Sequence, residues 1–151
     1  MYSKEYNLLA LHKVLIIDIG GFTLDYMILR YGEPDTNGFD TLERGVIPMY
    51  NSIVHRVRNQ SNHLLEEVDV DMIIMGENTV FSEDVCALAL SVTEEYVVNT
   101  LGVFREIGID FNTLTTIFVG GGSMLLKDMI RKVWSRYSGK YYIVNDPFAN
   151  A

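Results

Sequence analysis

The chain has 151 residues, 48% of them hydrophobic, and 12 Lys plus Arg against 20 Asp plus Glu, a net charge of −8. That is the composition of one soluble domain able to bury a core without disulfides, and a single cysteine, Cys86, fits a reducing compartment. No run nears the roughly 20 apolar residues of a membrane span, Met1 to Lys13 is too polar for a secretory leader, and scattered basic residues make a poor nucleic-acid surface. A cytoplasmic protein touching neither membrane nor nucleic acid directly is expected.

Lys13 to Ile19 is a short, almost unbroken apolar run and reads as a strand buried on both faces. Gly20-Gly21 interrupts it, Thr23 to Tyr31 resumes as a second strand, and the Gly32-Glu33-Pro34-Asp35 cluster reads as a turn. A third strand over roughly 38–46 would complete an antiparallel meander. From Pro48 to about Val68 the apolar positions fall near helical spacing, and Met72-Ile73-Ile74-Met75 reads as a short buried strand. Ser82, followed by Glu83 and Asp84, marks the start of a long helix that Gly108 should end. Leu114 to Val119 is the next buried strand, Ser123 to Tyr137 an amphipathic helix, and Tyr141 to Val144 a last strand. A meander followed by strand–helix alternation predicts an α/β domain with a mixed sheet and helices packed on it.

Two strand-end turns carry the chemistry. In Asp18-Ile-Gly20-Gly21-Phe-Thr23, consecutive glycines let backbone N–H groups converge on an anion, and Thr23 adds a hydroxyl. Asp18, at the end of an apolar strand, is placed to hold the waters of a Mg²⁺, and Asp25 projects to the same strand face as Thr23. The same residues also suit a plain tight hairpin, so this loop alone leaves both readings open. Gly120-Gly121-Gly122-Ser123 brings a strand end to a helix start, where N–H groups lack partners. It lacks the third glycine of the dinucleotide fingerprint, and close strand-to-helix packing with Ser123 as a cap explains it equally well.

Taken together, DIGGFTLD at 18–25 resembles the second phosphate motif, D-[IL]-G-G-x-T-x-D, of the actin, heat-shock chaperone and sugar-kinase superfamily, and VGGGSMLLKDMI at 119–130 resembles its adenosine motif. The closing NDPFANA makes the chain most similar to plasmid-segregation actins of the ParM or StbA type. The resemblance implies a ribonuclease-H-like (actin-like ATPase) fold with a mixed five-stranded sheet, spanning 1–151 as the C-terminal half of a two-domain protein, with a small inserted subdomain at about 47–80. It implies ATP or ADP with Mg²⁺ as ligands. Asp18 would hold the metal through water and support hydrolysis, Gly20, Gly21 and Thr23 would contact the β/γ-phosphates, and Gly120, Gly121, Gly122 and Ser123 the adenosine side. Glu94, Tyr96 and Asn99 lie on the helix that flanks the base in some members, without a motif to fix them.

The implied function is ATP-dependent filament formation for plasmid or DNA segregation, with self-association and a DNA-binding adaptor as partners. A non-polymerising scaffold of the cell-division or pilus-assembly type, or another superfamily kinase or chaperone ATPase, is the alternative. Half of a two-sided phosphate site should hydrolyse ATP weakly or not at all.

Overall fold

The computed structural model describes residues 12–145. Strands β1 (Lys13–Ile19), β2 (Leu24–Arg30) and β3 (Glu33–Leu42) lead into helices α1 (Val46–Ser61), α2 (Glu67–Ile74) and α3 (Glu83–Glu106). Strand β4 (Thr115–Val119), helices α4 (Gly121–Leu125) and α5 (Lys127–Trp134) and strand β5 (Tyr141–Ile143) follow. The five strands form one mixed sheet in the order β3-β2-β1-β4-β5. The pairs β1/β2 and β2/β3 are antiparallel, while β4 runs parallel to both β1 and β5. This is the expected architecture.

Alternation along β1 sorts its side chains between two environments. Leu15, Ile17 and Ile19 join the main core with residues from α1, α2, α3 and α5, whereas Val14 packs with Leu29 and Ile117 in a second cluster made of strand residues only. Asp18 and Asp25 are register partners at the top of that second face. Thus the sheet presents its helices to one side and the Asp18–Asp25 pair to the other.

Four expected boundaries are corrected. Met72 to Met75 is not strand but the end of α2, because Val70, Ile73 and Ile74 bury at helical spacing and Glu66 with Asp69 forms a reciprocal capping box. Of the cluster at 32–35, only Gly32 lies in the turn, and the third strand begins at Glu33 rather than near 38. The chain reverses at Tyr31-Gly32, both with positive φ, and Pro34 already lies in β3, where an edge strand tolerates its missing N–H. Finally, the helix expected from Pro48 to Val68 stops at Ser61, since Asn62 adopts the left-handed conformation and its N–H caps the Arg58 carbonyl, and the one expected at 123–137 divides at Leu126 into α4 and α5. The long helix begins and ends where expected: the Ser82 hydroxyl accepts from the Val85 N–H, and Gly108 has φ +95°.

Candidate functional site

The β1–β2 hairpin is held by the start of α1. The N–H groups of Gly45, Val46 and Ile47 donate to the carbonyls of Phe22, Gly20 and Gly21 at 3.0, 3.0 and 2.8 Å. Gly45 must be glycine for this contact, because a Cβ there would stand 2.2 Å from the Gly21 carbonyl oxygen. Carbonyls drawn towards α1 leave the N–H groups of Gly21, Phe22 and Thr23 without a backbone acceptor among the described residues. An N–H array of this kind suits an anion.

The two glycine turns meet at Asp18. A Cβ on Gly120 would lie 2.2 Å from Asp18 Oδ1, and the φ of +90° at Gly120 disfavours any side chain there. Together the turns enclose a cleft of about 370 Å³ lined by Asp18, Gly20, Gly21, Thr23, Asp25 and Gly120 to Gly122. Burial, and then the facing Asp25 carboxylate, push the Asp18 carboxyl above its usual range. Asp25 is itself oriented from β3, where the Thr41 hydroxyl donates to it at 2.6 Å. Two carboxylates and a threonine hydroxyl beside an open cleft fit Mg²⁺, a hard cation that takes few protein oxygens and completes its shell with water and phosphate. Among the described residues no group of three or more His, Cys, Asp or Glu is close enough to cage a metal.

A larger hollow of about 880 Å³ adjoins this cleft across Gly21, Val46, Gly121 and Gly122. Tyr50 and Ile47 of α1, Asp71 of α2, and Met124, Leu125 and Lys127 beyond the glycine turn line it. The Tyr50 hydroxyl donates a hydrogen bond to Asp71, which ties α1 to α2. Burial and that carboxylate raise the phenol's pKa, so Tyr50 remains a donor well above neutral pH.

Seven of the eight expected site residues therefore line one cleft. Ser123 does not, nor is it the expected helix cap: that position is Gly120, while Ser123 is fully buried inside α4 and its hydroxyl donates back to the Val119 carbonyl at the end of β4 at 2.6 Å. Glu94, Tyr96 and Asn99 also lie elsewhere. Glu94 accepts from Lys132 at 2.8 Å, and the Tyr96 hydroxyl donates to the Arg44 carbonyl. Sequence reasoning missed Tyr50, Asp71 and Thr41. No motif marks them, although Thr41 was recoverable as the register partner of Asp25 once β3 was placed correctly.

A β-meander, two glycine turns converging on one acidic strand end, and helices on one face make up the C-terminal domain fold of actin-like proteins. Residues 16–132 match the family described as archaeal actin homologue MreB-like, C-terminal, and the chain belongs to that family. Among solved structures, the archaeal actin homologue Ta0583 superposes with a TM-score of 0.72 at 16% identity, covering 98% of this chain and 48% of that one. The Alp12 filament structure gives 0.65 at 18%, covering 93% and 46%, and Bacillus thuringiensis ParM with AMPPNP gives 0.62 at 14%, covering 89% and 42%. The chain thus spans just under half the length of these proteins. A search of curated proteins finds no match. Among the described residues, no helix is long and apolar enough to cross a membrane.

Proposed function

We propose that this chain is the C-terminal nucleotide-binding domain of an actin-like ATPase that assembles ATP-dependent filaments and moves plasmid or other DNA in the cytoplasm through a DNA-binding adaptor. The observation that carries this is the meeting of the two glycine turns at Asp18, which makes a small anion-sized cleft open onto a nucleoside-sized hollow. In this reading Gly20, Gly21 and Thr23 bind the β- and γ-phosphates through backbone N–H groups and a hydroxyl. Gly120, Gly121 and Gly122 lie against the α-phosphate and ribose, Ser123 holds that turn in place through Val119, and the base enters the hollow walled by Tyr50 and Asp71. Asp18 would hold Mg²⁺ through water, and the metal would neutralise phosphate charge when bound. Helices α1 and α2, which span 46–74, would make up the small inserted subdomain expected at about 47–80 and offer an outer surface for filament contacts.

Support also comes from the solved relatives, one determined as a filament and another with AMPPNP. Concentration-dependent light scattering of the full-length protein tests the reading. ATP should produce scattering that ADP does not sustain, and Asp18→Ala should abolish it. Nucleotide binding without scattering at any concentration would favour a non-polymerising scaffold instead.

A further inference from the structure

Gly102 lies in the interior of α3 without a packing reason. Glycine within a helix costs stability relative to alanine, yet no atom stands within 4 Å of where a Cβ on Gly102 would be. The fold therefore does not exclude a side chain here, and the missing one keeps a hollow open. That hollow is a cleft of about 620 Å³ over the second half of α3, and three arginines line it. Arg44 comes from the loop between β3 and α1, Arg105 from the last turn of α3, and Arg136 from the chain just beyond α5. The cleft shares no lining residue with the Asp18 cleft or the larger hollow beside that site.

The charges on its wall are not met from within the fold. Arg44 and Arg105 enter none of the ion pairs among the described residues. Arg136 reaches only Glu94, at 3.8 Å, and that carboxylate is already held by Lys132 at 2.8 Å. Asn112 accepts from the Ser138 N–H at 2.9 Å and from its hydroxyl at 3.3 Å through one oxygen, which fixes the amide and leaves its NH2 group to donate elsewhere. Tyr137, packed on Phe111 and Trp134 with centroids 5.2 and 5.3 Å away, makes a rigid wall, and the Tyr96 hydroxyl holds the Arg44 backbone against α3. Glu106 is the one carboxylate lining the cleft, in a chain whose net charge is −8. The helix dipole accounts for Arg105 at the end of α3. It does not account for Arg44 and Arg136, which converge from other elements.

We propose that the arginine cleft is a second anion site, which takes a small phosphate ligand such as inorganic phosphate, pyrophosphate or a phosphate ester. Guanidinium groups arriving from three elements suit a tetrahedral anion, whose oxygens point in several directions and each accept from a different group. A single carboxylate offers two oxygens in one plane and matches fewer of these donors. Three arginines against Glu106 leave an excess of two positive charges, 3 − 1 = 2, which a multiply charged phosphate neutralises. Once bound, the ligand ties the β3–α1 loop, α3 and the segment after α5 together, and it stabilises the folded chain by mass action. The proposal goes beyond the nucleotide reading and involves no residue of the nucleotide cleft.

Titration of the chain with pyrophosphate, followed by backbone amide NMR in EDTA so that no metal–phosphate complex forms, tests this. The amides of Asn99, Gly102 and Ser138 should shift with a saturable curve, and any shift at Gly20 to Thr23 reports the nucleotide cleft separately. Arg44→Gln/Arg105→Gln/Arg136→Gln should weaken the binding read at Asn99 and Ser138 by about tenfold or more. Gly102→Leu keeps every charge and should weaken it as much by filling the cleft, which a diffuse attraction to surface charge would not show. Circular dichroism verifies folding, and Gly102→Leu carries the test where the arginine variant is unfolded, since leucine favours helix over glycine. Citrate, a carboxylate polyanion, should bind about tenfold or more weakly than pyrophosphate. Inorganic phosphate binding more tightly than AMP at these amides assigns the site to the free anion, and the reverse order to a phosphate ester; either supports the phosphate class. No shift at these amides in millimolar pyrophosphate, a folded Gly102→Leu chain that binds like wild type, or citrate binding as tightly as pyrophosphate overturns the proposal. None of these outcomes touches the nucleotide reading, which falls on its own if nucleotide fails to perturb Gly20 to Thr23.

Discussion

At the scale of single residues, Asp18 carries an unfavourable charge at the end of an apolar strand. Its carboxyl is raised by burial and by Asp25, so the folded state binds its proton more tightly than the unfolded chain does. The stability associated with that proton is full below the unfolded carboxyl range of about 4 and is lost as pH rises through the raised value. Asp18→Asn, neutral at all pH values, should therefore raise Tm at pH 7 and raise it less at pH 3. An equal increment at both pH values would show that the carboxylate is not strained. A residue that lowers the stability of its own domain needs a compensating ligand, and a metal–phosphate complex at the cleft would supply one. Gly120 makes the same point sterically, because the close approach of Asp18 leaves its Cα no room for a side chain.

At the scale of elements, the site is built by contacts between parts that are distant in sequence. The first N–H groups of α1 anchor the hairpin carbonyls, and Tyr50 then carries the link from α1 to α2 through Asp71. Tyr50→Phe should cost about 1 kcal/mol in urea unfolding, the net worth of one hydrogen bond to a charged group in a half-buried setting. It should also weaken nucleotide binding several-fold by loosening the wall of the larger hollow. Unchanged stability and affinity together would mean that the bond neither holds the helices nor shapes the site. Most elements were legible because they obey local rules: β1 and β4 are short apolar runs, and α3 has a serine cap and a glycine stop. The misplaced ones, α2 and the start of β3, are those where a local signal competes with a stronger one. A four-residue apolar run looks like strand until the capping box upstream sets its phase, and a proline looks like a turn until the edge position of β3 removes the need for its N–H.

At the scale of the whole molecule, the proposed function makes the chain one wall of a phosphate site. Phosphoryl transfer depends on positioning and charge stabilisation around the whole phosphate, so the 151-residue chain should bind Mg·ATP weakly and show no turnover above buffer in a phosphate-release assay. Turnover that disappears in Asp18→Ala would refute this and make the domain self-sufficient. The arginine cleft belongs to this scale too, since no one arginine is unusual until the fold brings three of them together.

The sequence by itself determined strands β1, β2, β4 and β5, the long helix, the mixed sheet and the two glycine turns, because apolar period, caps and glycine act within a few residues of themselves. Only the tertiary structure decided that Asp18 faces Gly120, that Ser123 is spent on Val119, that Tyr50 and Asp71 wall the hollow, and that three arginines share a cleft. Each of those depends on how the register of β1 with β2 and β4, and the packing of helices over one sheet face, bring together residues up to about a hundred positions apart. That juxtaposition is a property of the closed core, and no local propensity encodes it.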